Sequence, residues 1–344
     1  MLPTDVLDSR SFISEYLRSE VFPEIAPPPY GDIRIRRLSC QKPVYLFRET
    51  ARDITVVGKS FKYDHIALED AWEHAEREYL NLSLLRKEFG MNGDSYKVVA
   101  PLGKNKELAA MLVMERAPGQ VLDHYIASAI FERRYGSLFD RLSHLARFFS
   151  KLHRNSQTDR PLSIDAPSQY LNKMLDSLIK SPLGDFQRGS IEHHAAPWRN
   201  NPGILAVDRE VIVHGDATPT NFLFHQNKVS GIDLERMMSG DRCWDLGFMA
   251  AELKHHFMWR TGNAWAAEPF IGHFLWEYNV DHQDNGGTQS FRDITGRIPL
   301  FMALGLLRIA RNDWLDLPYR RQLMREAKRC LKYGLSSSIT TARW

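Results

Sequence analysis

A histidine, an aspartate and an asparagine crowd into one short stretch, "VIVHGDATPTNFLF" (211–224), between two apolar runs. Asp216 and Asn221 are followed by "GIDLE" (231–235), which adds Asp233 and Glu235. Carboxylate and amide oxygens brought together by a hairpin suit Mg²⁺, a hard ion that takes oxygen ligands and keeps some of its waters. A further carboxylate close by can accept a hydroxyl proton. Together these are parts of a phosphoryl-transfer site, where the protein chiefly positions groups and neutralises charge. The set still lacks a cation for the phosphates. "TVVGKSF" (55–61) supplies Lys59 on a β-like run, and Glu78 in "AEREYLNLSLL" (75–85) is the carboxylate best placed to fix it, ahead of Glu76 and Glu73. Taken singly, Asp216 and Asn221 would be turn caps and Lys59 a solvated strand residue. Only their ordered series favours chemistry.

The elements that must position these residues change character along the chain. Residues 9–21 predict a short amphipathic helix with Phe12, Ile13, Tyr16, Leu17 and Val21 on one side, ended by "PEIAPPPYGD" (23–32), whose prolines cannot donate hydrogen bonds. Short β-like runs follow at 33–38, 44–49 and 54–61 and again at 96–102 and 108–116, an antiparallel pattern. Between them, residues 68–88 take a helical period, with Leu68, Trp72, Tyr79, Leu82 and Leu85 as the apolar face. Beyond "APGQ" (117–120) the texture is helical. Leu138, Leu142, Leu145, Phe149 and Leu152 form a stripe at steps of four and three. Residues 170–180, 246–260, 265–279 and 298–334 also read as helices, while 211–235 reads as two short strands around a loop. The expected fold is α+β: an N-terminal extension over 1–31, a sheet-and-helix region over 32–115, and a helical region over 116–344 that carries the polar loop.

Composition narrows the classes. The chain has 344 residues, 43% hydrophobic and 25% charged, with a formal net charge of +3, which is ordinary for a globular protein. No basic run interleaved with aromatics points to nucleic acid. Cys40, Cys243 and Cys330 are distant and odd in number, which argues against a disulfide framework and for a cytoplasmic setting. There is no apolar leader in the first twenty residues and no apolar stretch long enough to span a membrane. Adjacent histidines at 193–194 and 255–256 are unpromising zinc ligands, because neighbours on a helix diverge by about 100°.

The motifs in their order resemble the aminoglycoside phosphotransferase and choline kinase family, which has a two-lobed, protein-kinase-like fold. They are "VGKSF", "EREYLNLSLL", "LVMERAPG", "LARFFSKLH", "HGDATPTNFLF" and "GIDLERMMSGDRCWDLG", spread over residues 44–250. The resemblance implies a small antiparallel N-terminal lobe and a larger helical one, with ATP or GTP and Mg²⁺ between them. It implies Asp216 as catalytic base and Asn221 and Asp233 as metal ligands. Lys59 would contact the phosphates and pair with Glu78, and the backbone at Glu115 and Ala117 would face the adenine. His214 and Asp245 would brace the loop, and Glu235 is either a partner of the metal site or a surface acid. One part departs from the family pattern. Residues 31–60 hold only Gly31 and Gly58, and the phosphate-covering turn would be "LSCQKP" (38–43), with Ser39 and the backbone near Cys40 and Gln41 as donors. That departure supports the alternative, a catalytically weak nucleotide-binding regulatory module.

The resemblance implies a hydroxyl-bearing small molecule as partner. Residues 246–344 carry nine acids against thirteen Lys and Arg, the opposite of what a polycationic aminoglycoside would attract. Aromatics are frequent there, and most are expected to fill the core. The expected acceptor is a small neutral or singly charged hydroxylated metabolite.

Overall fold

A computed structural model of the chain describes residues 4–39, 42–63, 65–201, 208–282 and 288–340. It divides into two compact units, one made of Met1–Pro118 with Ser230–Arg236, the other of Gly119–Val229 with Met237–Trp344.

The first unit is built on β1 (Thr4–Val6), α1 (Phe12–Tyr16), β2 (Ile33–Arg37), β3 (Val44–Glu49), β4 (Thr55–Ser60), α2 (Leu68–Lys87), β5 (Tyr96–Val98), β6 (Pro101–Asn105) and β7 (Met111–Glu115). Six strands form a sheet in the order β1-β2-β3-β4-β7-β6, with every neighbouring pair antiparallel. The period of two sends Phe47 and Val56 to one face, where they pack with Tyr16, Leu17, Val21 and Phe22 from the N-terminal segment. The expected 9–21 helix is observed as irregular winding over Phe12–Glu24. α1 starts at an Ser11 cap, widens into a looser turn at Leu17–Val21, and stops in a single tight turn at Phe22–Glu24, where Pro23 cannot continue it. The β-like run 96–102 breaks at Val99–Ala100 into β5 and β6.

α2 corrects the expected face. Its buried residues are Ala71, Ala75, Glu78, Leu82 and Leu85, while Leu68 is exposed and Trp72 and Tyr79 are only partly covered. Two alanines let the helix lie close to its neighbours. The outer aromatics are used otherwise, since Lys104 Nζ lies 5.2 Å from both the Trp72 and Tyr79 rings.

The second unit contains β8 (Gln120–Val121), α3 (Leu122–Glu132), α4 (Tyr135–Asn155), α5 (Asp165–Ile179), α6 (Arg188–Arg199), β9 (Val211–Val213), β10 (Phe222–His225), β11 (Lys228–Gly231), β12 (Met238–Gly240), α7 (Cys243–Thr261), α8 (Glu268–His282), α9 (Thr288–Ala310) and α10 (Leu317–Thr340). β11 crosses the boundary between the units. The stripe Leu138, Leu142, Leu145, Phe149, Leu152 on α4 is wholly buried, as its spacing predicts. The 211–235 region has more strand than expected: β9 pairs antiparallel with β12, and β10 with β8. Helix 298–334 is two helices, interrupted at residues 311–316, and α3 and α6 were not foreseen. No helix among the described residues is long and apolar enough to cross a membrane.

Candidate active site

Chemistry-bearing side chains gather at two places, one in each unit. In the first, alternation along β4 turns Gly58 toward Phe47 and Lys59 to the opposite face. A Cβ at Gly58 would lie 2.7 Å from the Phe47 ring, so the residue before Lys59 has to be glycine for the strand to pass. Glu78 stands in the apolar stripe of α2 and is fully buried, a position costly for a carboxylate without a cation. Lys59 Nζ supplies that cation, donating to Glu78 Oε2 at 2.7 Å, and it also donates to Asp233 Oδ1 at 2.5 Å and to Glu235 Oε2 at 3.5 Å. Burial alone would favour neutral Lys59, but Glu78, Asp233 and Glu235 outweigh it and hold the ammonium above its ordinary pKa. At Glu78, by contrast, burial dominates and pushes its carboxyl up to about 7 against the pull of Lys59.

Asp233 has φ +64°, a left-handed conformation that aspartate tolerates better than most residues. Asn81 Nδ2 donates to Leu234 O at 2.8 Å and ties this segment to α2. Lys42 Nζ lies 3.6 Å from Asp233 Oδ2. Glu78, Asp233 and Glu235 each offer an oxygen within 4.8 Å of the others, and among the described residues they are the grouping of three side chains able to hold a metal. Glu235 thus belongs with the cluster. Glu115 ends β7, with its N–H on Ala100 O at 2.9 Å and its side chain paired with Lys97 at 2.7 Å. Ala117 follows, half-buried. Of the turn at 38–43, Cys40 and Gln41 lie outside the described residues; at its edge the Lys42 N–H donates to Ser39 Oγ at 3.2 Å.

In the second unit, β9 delivers the chain to His214. The wholly buried Asp245, in the first turn of α7, accepts the His214 N–H at 2.7 Å and the Gly215 N–H at 3.1 Å. Gly215 turns the chain with φ +76°. His153 Nε2 stands 3.1 Å from Asp245 Oδ2, and its Nδ1 lies 3.0 Å from the Tyr278 hydroxyl. Burial lowers the His153 pKa and raises that of Tyr278. A neutral ring therefore donates Nε2–H to Asp245 and accepts from Tyr278. His214 Nδ1 accepts the Asp216 N–H at 3.4 Å, and Asn221 Nδ2 donates to Asp216 O at 2.9 Å. The amide nitrogen of Asn221 is thereby engaged, while its carbonyl oxygen has no partner among the described residues.

Arg308 on α9 was not foreseen. Its Nη2 donates to Asp216 Oδ1, and its Cζ lies 5.6 Å from the Phe248 ring centroid. Trp244 stacks on Phe248 at 5.4 Å, and Tyr170 meets Trp244 edge-on at 5.1 Å. Glu252 on α7 is close enough to feel both Arg308 and Asp216; burial, the largest influence, pushes it up to about 7. Of the aromatics over residues 248–278, Phe248, Phe257, Phe270, Phe274 and Tyr278 are buried, whereas Trp259, Trp276 and Trp265, the last between α7 and α8, are exposed. His255 Nδ1 lies 2.8 Å from the Tyr319 hydroxyl and His256 Nδ1 3.1 Å from Asp123, so each of these adjacent rings has a partner other than a metal. Cys243 is fully buried, and burial raises its thiol pKa well above the ordinary value.

The model of the phosphotransferase enzyme family matches residues 44–278. The chain belongs to that family. Solved structures share its protein-kinase-like α+β fold. An ethanolamine kinase from Plasmodium vivax is 12% identical with a TM-score of 0.54, over 90% of this chain and 82% of its own. A choline kinase from Streptococcus pneumoniae is 16% identical at 0.54, over 93% and 99%. The aminoglycoside phosphotransferase APH(2'')-Ib, ADP-bound, is 14% identical at 0.53, over 95% and 99%. No curated protein sequence matches the chain.

Proposed function

We propose that this phosphotransferase is a small-molecule kinase, moving the γ-phosphoryl group of ATP to a hydroxyl of its acceptor. The observation that carries this reading is the engagement of one buried ammonium, Lys59, by both Glu78 and Asp233. A strand lysine held by a helix carboxylate is fixed in place, ready to meet phosphate oxygens. Asp216 has Oδ1 on Arg308 and Oδ2 with no partner among the described residues. That free oxygen takes the acceptor proton as the hydroxyl oxygen bonds to the γ-phosphorus and the bond to the β–γ bridging oxygen breaks. The backbone at Glu115 and Ala117 would meet the base.

The donors are of the kind that Mg²⁺ takes: Asp233 and Glu235 bring carboxylates, and Asn221 brings a carbonyl oxygen with no partner among the described residues. Asn221 and Asp233 would hold the ion, which when bound neutralises charge on the phosphates. An ATP-depletion screen over amino-alcohols, sugars, nucleosides and aminoglycosides tests the reading. The expected result is acceptor-dependent loss of ATP, abolished by EDTA. Magnesium-dependent nucleotide binding with no acceptor-dependent turnover would instead favour the regulatory module.

A further inference from the structure

From Pro299 to Ala310, α9 reads "PLFMALGLLRIA", with Arg308 its one charged residue. A guanidinium carries five N–H donors in a planar fork. Here Nη2 serves Asp216, and no described residue accepts from Nε or Nη1. The side chain keeps 16% of its surface exposed. Phe248, Trp244 and Tyr170 form an aromatic wall beside it.

What this spot leaves over is donor groups of the arginine, since its charge is met by Asp216. Asp216 already has its Oδ1 on Arg308, and Glu252, with its carboxyl raised to about 7, is partly protonated at neutral pH. Asp123 is closed off by Arg260 and His256, each at 3.1 Å. An ammonium placed here finds Asp216 Oδ1 already taken by Arg308 and would have to displace that pair. A carboxylate or phosphate would meet a planar donor edge of matching shape.

We infer that Arg308 selects the acceptor, binding a carboxylate or phosphate that the acceptor carries while Asp216 Oδ2 receives its hydroxyl. The inference rests on the reading of Asp216 as the base. Both contacts belong to one ion pair, so hydroxyl and acid must lie within roughly 4–7 Å of each other. The acceptor class is a compact hydroxy acid, sugar acid or sugar phosphate.

The test is a steady-state comparison of acceptors matched in skeleton and differing in charge, with MgATP as donor. One set is glycerol, glycerate, glycerol 3-phosphate and 3-amino-1,2-propanediol. The other is glucose, gluconate, glucose 6-phosphate and glucosamine. In the wild-type protein an acidic member should exceed its neutral counterpart about tenfold or more in kcat/KM, with the amine lowest. The carboxylate and phosphate arms identify which acid is taken. Arg308→Gln should lose about 10- to 100-fold on acidic acceptors, mainly through KM, with little change in KM for neutral ones. Arg308→Lys should recover part of that loss. Preference of the wild type for neutral or amine members overturns the inference and leaves the kinase reading standing; this arm needs no variant to fold. An equal fall in kcat for every acceptor in Arg308→Gln, with KM unmoved, would mean that Arg308 only orients Asp216. Turnover of no hydroxylated compound removes both readings.

Discussion

Replacing Lys59 by methionine keeps the apolar stem and removes the charge that three carboxylates share. Asp233 and Glu235 retain 18% and 19% side-chain exposure, and Asp233 keeps Lys42 at 3.6 Å, so water and a second cation moderate their loss. Glu78 has no exposure and, among the described residues, no other cation. Removing one partner of a buried pair costs about 3–5 kcal/mol. Glu78 already sits at about 7, so it can escape part of that cost by protonating, and the expected loss in Lys59→Met is about 3 kcal/mol. Adding Glu78→Gln removes the stranded charge. The double variant should recover about 2 kcal/mol relative to the sum of the two single losses, an interaction energy well outside additivity.

Catalysis should not follow stability back. The double variant still lacks the ammonium for the phosphates, and its kcat/KM for ATP should stay about 10²–10³-fold down, as when a charge-stabilising donor is removed. Urea unfolding followed by tryptophan fluorescence, with a coupled ADP-release assay on the four proteins, reads both quantities. Stability losses that add to within about 0.5 kcal/mol would refute the account of Glu78 as a charge held only by Lys59. Unaltered ATP kinetics in Lys59→Met would return Lys59 to a structural role.

Three further outcomes follow from the geometry. Asp216→Asn should keep the fold and nucleotide affinity while turnover falls about 10²–10⁴-fold; single-turnover rates equal to wild type would mean that Asp216 is not the base. Asp245→Ala leaves the His214 and Gly215 N–H groups and His153 without their acceptor. It should cost at least about 3 kcal/mol and most activity, at roughly 1–3 kcal/mol for each of the three buried groups left unsatisfied, and a melting curve unchanged from wild type would remove the bracing role. Glu252 titrates in the folded chain at about 7 rather than 4.5, so the folded state binds its proton more tightly than the unfolded one. Its contribution is complete below the unfolded value and is lost as pH rises through the folded one. Glu252→Gln should therefore flatten the decline in stability between about pH 5 and 8 by up to about 3 kcal/mol, and parallel urea-melt profiles for the two proteins would contradict this.

Local regularity was the legible part of the fold. The α4 stripe needs only the helical period and five large apolar side chains, and all five are buried. α2 was phased by size, whereas burial there follows closeness of approach, which Ala71 and Ala75 permit and Trp72 does not. α6 contains Gly189 and Pro197, which local propensity counts against a helix. A contact invisible to any local window helps hold it: Trp198 Nε1 donates to Leu331 O at 3.0 Å, 133 residues away.

The same distinction separates the parts of the candidate site. Lys59 and Glu78 are 19 residues apart, and motif order suggested their pairing; Lys59 and Asp233 are 174 apart, and only the series of motifs linked them. Arg308 and Asp216 are 92 apart and share no motif. Yet Arg308 had its own signal, a single cation in an apolar run of helix, just as Glu78 is a single acid in the buried stripe of α2. A charge in such a place is unfavourable unless a partner meets it, so its presence predicts a partner without naming one. Counting charge over 246–344 as a sum averaged that signal away. The position of one arginine says more about the acceptor than the excess of four basic residues in the same region, because among the described basic residues there Arg308 alone meets the Asp216 carboxylate.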